Sequence, residues 1–234
     1  MRDGGDRWGV SKLARELSPE YGIVYRTPLS PLCKEGCYGA FIGEVFRDLK
    51  EYAKLVEKQK ENGADFIKIM ISGLMDFNKA GQLFMEGPAA EEIRQMVHIA
   101  HEEGFSVMAH CNGSAPVLAA AEMGVDSIEH GAYLNEEALS AMAEKDVVWV
   151  PTVSTIGNLL GKGRYPDDQV QQILESAMEN IASFRAKGGH VAPGSDAGAW
   201  AVPHDADTEE AWLKKAGVCK QQQDTAASKI MEKF

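Results

Sequence analysis

Short apolar runs suited to β-strands alternate with longer amphipathic stretches suited to helices along almost the whole chain. This alternation confines the fold to an α/β architecture built on parallel strands. Strands are expected at residues 22–27, 66–72, 106–110, 127–130, 147–151 and 190–195, and helices at 44–62, 88–103, 115–123, 136–145 and 166–187. Two more helical stretches, 208–217 and 226–234, close the chain. Gly63, Gly104, Gly124 and Gly188 stop several of these helices, where a left-handed C-cap suits glycine. The 234 residues approach the roughly 250 of a barrel with alternating strands and helices, so one domain over 1–234 is expected.

Six strands do not close an eight-stranded barrel. The opening Arg2-Asp3-Gly4-Gly5 has the character of a turn leaving a strand that would precede Met1. The expected fold is therefore a TIM-like (β/α) barrel that is incomplete. Segments 73–87 and 152–165 follow strand ends without strong periodicity and are expected to be mouth loops.

A net charge of −11 argues against nucleic acid or an anionic membrane as partner. No apolar segment approaches the roughly 20 residues of a membrane span, and Met1-Arg2-Asp3-Gly4-Gly5-Asp6 is too polar for a secretory signal, so a cytoplasmic location is expected. Cys33, Cys37, Cys111 and Cys219 are too few and scattered for a disulfide scaffold, and free thiols are expected.

One residue does not fit its strand. Lys68 interrupts the apolar run Phe66-Ile67-Lys68-Ile69-Met70-Ile71, which reads as a central strand buried on both faces. A buried ammonium is costly unless paired, neutralised or chemically changed, so Lys68 points to chemistry. Alternation puts Ile67, Ile69 and Ile71 on the helix-facing side and Lys68 on the barrel side. His110, His130 and Asp196 each close a later strand-like run, and such strand ends converge at one mouth of a parallel barrel. Reaction of Lys68 with CO2 would give a carbamate able to bridge two cations. Two imidazoles and a carboxylate are suitable partners for zinc or a similar divalent ion.

The motifs Ile67-Lys68-Ile69-Met70 with Ser72-Gly73, Ala109-His110, Ile128-Glu129-His130-Gly131 and Gly194-Ser195-Asp196 resemble, in order, those of the amidohydrolase superfamily of metal-dependent hydrolases. The closest likeness is to the branch of imidazolonepropionase-like proteins and Xaa-Pro dipeptidases (prolidases). The resemblance implies that Lys68 is the carboxylated, metal-bridging lysine, that His110 and His130 are ligands of one metal, and that Asp196 binds the other and acts as general base. It implies one or two divalent ions, zinc by preference, and hydrolysis of a C–N bond in a dipeptide, an N-acyl amino acid or a cyclic amide. Two features of the family are missing: the first-strand His-X-His pair and the segments of a flanking β-sandwich. An N-terminally shortened member is the resulting expectation.

Tyr133, Asn112, Arg26 and His204 stand near strand ends or on a mouth loop and are further candidates for substrate contact. Trp200 is a candidate for the pocket or the rim. His98 and His101, among helix glutamates, and the charged run 209–215 are expected to face solvent. Two other functions compete with the hydrolase. Lys68 could form a Schiff base as in an aldolase. Alternatively, a non-catalytic barrel could serve as a binding or assembly module, its open strand edges covered by a partner or in a homo-oligomer.

Overall fold

The computed structural model describes residues 1–204 and 207–234. In chain order the elements are α1 (Val10–Leu17), β1 (Leu32–Lys34), β2 (Glu44–Phe46), α2 (Leu49–Glu61), β3 (Ile67–Met70), β4 (Leu74–Met75), β5 (Leu83–Phe84), α3 (Ala90–Glu102) and β6 (Val107–Cys111). They continue with α4 (Ser114–Glu122), β7 (Ser127–His130), α5 (Glu136–Glu144), β8 (Val148–Val150), α6 (Ser154–Gly157), α7 (Asp167–Ala186), β9 (His190–Val191), α8 (Asp207–Lys215) and α9 (Lys220–Lys233). Seven strands form one sheet in the order β2-β1-β3-β6-β7-β8-β9, every neighbouring pair parallel. The sheet is that of a TIM-like barrel, and it does not close.

Side-chain alternation explains how the layers form. Ile67, Ile69 and Ile71 are fully buried on the outer face and join one core with Val107, Ala109, Ile128 and Trp149 and with helix residues such as Tyr52, Met96, Leu139 and Phe184. Burying a side chain of this size stabilises by roughly 1.5–3 kcal/mol, so this outer layer supplies most of the apolar contribution. On the opposite face, Val148, Val150 and Ala192 pack against Ala226 of α9, with Ile230 beside them.

The expected strand 22–27 is reduced to a single parallel bridge between Arg2 and Arg26. Pro28 follows at once and has no N–H to continue a ladder. The chain instead forms β1 and β2, three-residue strands too short to leave a periodic signal. Residues 44–46, expected to start a helix, pair with β1. The helix begins later because the Asp48 side chain accepts from the amide of Glu51 at 2.9 Å and caps α2. The mouth segment 73–87 contains the hairpin β4–β5, and 152–165 contains α6; the two meet where the rings of Phe77 and Tyr165 lie 5.1 Å apart. All four cysteines are free thiols. Among the described residues, no helix is long and apolar enough to cross a membrane.

Candidate functional site

Parallel register brings the separated motifs to one end of the sheet. Met70 pairs with His110, and Cys111 pairs with His130. Lys68, His130 and Asp196 line one cavity of about 510 Å³. Lys68 is only partly buried, unlike a residue enclosed on both faces, because its side chain faces this cavity. His110 lies behind it, 2% exposed, with its ring centroid 4.6 Å from that of His130. Its Nε2 is 3.3 Å from the carbonyl oxygen of Gly73. A carbonyl only accepts, so this contact places the proton on Nε2 and leaves the lone pair on Nδ1.

His130 reaches the mouth through an unusual backbone. Alternation along β7 would put it on the same side as outward-facing Ile128. Instead His130 has φ 68°, and Thr152 and Asp196, which follow the next two strands, have φ 49° and 53°. Left-handed backbone at non-glycine residues is uncommon and must be held by its surroundings. The hold at His130 is visible. Trp149 Nε1 donates to its carbonyl at 2.9 Å, and His130 Nδ1 lies 2.8 Å from Thr152 Oγ1. Gly131 completes the turn at φ 66°, and a Cβ there would stand 2.5 Å from Trp149 Nε1.

The electrostatics favour neutral imidazoles. Burial, with His130 and Lys68 adding, pushes the pKa of His110 well below its ordinary value. Burial and then the charge of Lys68 push His130 down to about 3. Both rings are therefore uncharged at neutral pH, with lone pairs available to a cation. Tyr38, from the loop after β1, covers His110 with ring centroids 4.8 Å apart. Burial, then the nearby charge of Asp196, raises its phenol to about 12, so it remains a hydrogen-bond donor. Nothing in the aperiodic segment Gly36-Cys37-Tyr38-Gly39 signals this placement.

The cavity floor holds a buried ion pair. Arg2 reaches across to β7, giving one hydrogen bond to Ser127 Oγ at 2.6 Å and another to Glu129 Oε1 at 2.8 Å. The ring of Phe234 lies 4.5 Å from its guanidinium carbon. Glu129 has the same signature as Lys68, a charge at an inward position of a buried strand, and could have been singled out by it.

The remaining candidates are placed differently. Arg26 lines the cavity wall and pairs with Asp65 at 3.1 Å. Asn112 is fully buried, with Nδ2 donating to Gly73 O at 3.0 Å and Oδ1 accepting from Ala132 N at 2.9 Å, so it ties strand ends together. Tyr133 has φ 59°, and its neighbours Asp76 and Gly81 belong to the β4–β5 hairpin rather than the cavity wall. His204 is exposed. Trp200 is half exposed at the rim, under the guanidinium of Arg164 at 4.7 Å. The expectation that 209–215 faces solvent fails at Glu209, which is fully buried and accepts backbone hydrogen bonds.

Among the described residues, no three of His, Cys, Asp or Glu converge as a ready metal site. The donor chemistry fits a divalent ion if Lys68 becomes a carbamate and joins His110, His130 and Asp196, since a protonated amine is no ligand.

No family model matches the chain. Ochratoxinase from Aspergillus niger is 28% identical over 188 residues, covering 78% of this chain and 38% of that protein. A crystal structure of an Xaa-Pro dipeptidase with bound methionine superposes with TM-score 0.77 at 22% identity, covering 96% of this chain and 61% of the other. A prolidase complexed with N-methylphosphonate-L-proline superposes with TM-score 0.73 at 21% identity, covering 99% and 63%. The chain thus spans 38% of the length of the ochratoxinase and just under two thirds of the length of the two solved structures.

Proposed function

Taking as premise a chain with the fold and motif order of the amidohydrolase superfamily, we propose that it carries the site of a metal-dependent hydrolase of C–N bonds. The observation that carries this reading is that Lys68, His130 and Asp196 line one cavity, with the second neutral imidazole, His110, packed against His130. Lys68 as its CO2-derived carbamate, His110, His130 and Asp196 would hold one or two divalent ions, zinc by preference. When bound, the metal would supply a water of lowered pKa and polarise the scissile carbonyl. Asp196 takes a proton from the attacking water and returns it to the leaving nitrogen, so that an amide and water give an acid and an amine. Tyr38 stays protonated and can donate to the carbonyl or to a substrate carboxylate.

Relatives named dipeptidase and prolidase favour a dipeptide or N-acyl amino acid as substrate, with no role for nucleic acid or membrane. Because the chain spans 38% of the ochratoxinase, the activity is proposed of the barrel site rather than carried over from the whole relative. The test is amine release from Xaa-Pro dipeptides and N-acyl amino acids, with the purified chain supplied with zinc or manganese and bicarbonate. Hydrolysis that chelator and Asp196→Asn abolish supports the reading. Turnover that survives chelator, with a substrate adduct trapped on Lys68 by borohydride, would replace it with Schiff-base chemistry.

A further inference from the structure

Glu209 stands out because burial of a carboxylate is costly and the hydrolytic chemistry does not use it. It sits on α8, fully buried. Its Oε1 accepts from Val153 N at 3.0 Å, and its Oε2 accepts from Ser154 N at 2.7 Å. Those two amides belong to the turn that carries Thr152, whose hydroxyl meets His130 Nδ1. The same turn is tied to the other side of the mouth, since Ser154 Oγ donates to the carbonyl of Ser195 at 3.1 Å, next to Asp196. Trp212, one helical turn on from Glu209, donates from Nε1 to Asn158 Oδ1 at 3.1 Å and holds the far end of α6.

We propose that Glu209 is the positioning residue of this mouth: by holding the Val153 and Ser154 amides it keeps Thr152 in its left-handed conformation and on His130, and keeps Ser154 on the Asp196 segment. The inference rests on the reading of His130 and Asp196 as site residues. Three physical points support it. Left-handed backbone at Thr152 persists only where neighbouring contacts over-determine it, and Glu209 holds the two amides that directly follow it. A carboxylate has an acceptor for each amide, whereas an amide side chain would set an NH2 group against one N–H. Finally, burial raises its pKa to about 7, and what opposes that rise comes from Val153 and Ser154 of this same turn.

The test is side-chain nitrogen NMR of the histidines in the full chain, for wild type, Glu209→Gln, Glu209→Asp and Val170→Ala. In wild type the His130 Nδ1 and Nε2 resonances should be well separated, as in a single tautomer held by Thr152. In Glu209→Gln they should move together as the imidazole samples both tautomers, and Glu209→Asp should show the same loss because its carboxylate falls one methylene short. Val170→Ala, in the core of α7, should lower the melting temperature without moving them. A folded Glu209 variant with wild-type His130 resonances overturns the proposal, whatever its melting temperature. Rapid hydrogen exchange at the Val153 and Ser154 amides of wild type overturns it without any variant. These readouts need neither metal nor substrate, so a chain that hydrolyses nothing removes the hydrolase reading and leaves the positioning role to stand or fall alone.

Discussion

His130 Nδ1 lies 2.8 Å from Thr152 Oγ1, and both residues hold left-handed backbone conformations, at φ 68° and 49°. The contact fixes one imidazole nitrogen and leaves the other for the cavity. Such outer partners of a ligating histidine typically control metal affinity by 10–100-fold. Thr152→Val should therefore weaken zinc binding by about that factor and cost roughly 1–3 kcal/mol through an unpartnered buried nitrogen. Thr152→Ser should restore both. Competitive metal titration and chemical denaturation are the measurements.

Acid should weaken the fold through the same histidine. The His130 pKa is about 3 when folded, against 6.5 for the free side chain, so below pH 6.5 the unfolded chain binds the extra proton. Its contribution to stability is complete above pH 6.5 and is lost as the pH falls towards 3, at up to about 1.4 kcal/mol per pH unit. Glu209, with its pKa raised to about 7, acts oppositely, destabilising as pH rises from 4.5 to 7. Urea unfolding of wild type and His130→Asn from pH 7 to 4 separates the two. The variant should show the shallower loss towards acid, and equal slopes would show that His130 does not titrate this way.

Gly131→Ala should be poorly tolerated. The substitution places a methyl 2.5 Å from Trp149 Nε1 on a backbone at φ 66°. The left-handed conformation costs roughly 1–2 kcal/mol and overpacking roughly 1–3 kcal/mol more. A fall in melting temperature with altered Trp149 fluorescence is expected. A variant as stable as wild type would mean that the turn carrying His130 does not press on Trp149.

The Arg2–Glu129 pair should behave as a buried ion pair, with side-chain exposures of 10% and 4%. Arg2→Met alone strands a buried carboxylate and should cost about 3–5 kcal/mol. Arg2→Met with Glu129→Met removes both charges and should recover most of that loss. A double-mutant cycle by urea denaturation gives the coupling.

The strands that carry the site were readable because each is a short apolar run interrupted or closed by polar residues, Lys68 in β3, His110 in β6 and Glu129 and His130 in β7. Lys68 shows this best, since its three isoleucine neighbours pack outward as alternation requires. The α/β class with parallel strands followed from the alternation of elements. The N-terminal third was less legible: β1 and β2 are three residues long, and Pro28 breaks the strand expected before them. Tyr38 and Glu209 were missed for different reasons. Tyr38 owes its position to a loop without periodicity, and Glu209 sits in a run of charges whose other members suit solvent, so only tertiary packing singles it out. Thr152 depends on a backbone conformation that its residue type does not suggest.

The most direct test of the proposed function is the metal content of the purified chain by elemental mass spectrometry after exposure to zinc and bicarbonate. Wild type should carry about one or two equivalents, by the ligand arithmetic of a two-metal site. Lys68→Ala, His110→Ala and Asp196→Asn should each lose metal while remaining folded. A folded wild type that binds none, or that keeps its metal in all three variants, would contradict a metal site built on Lys68.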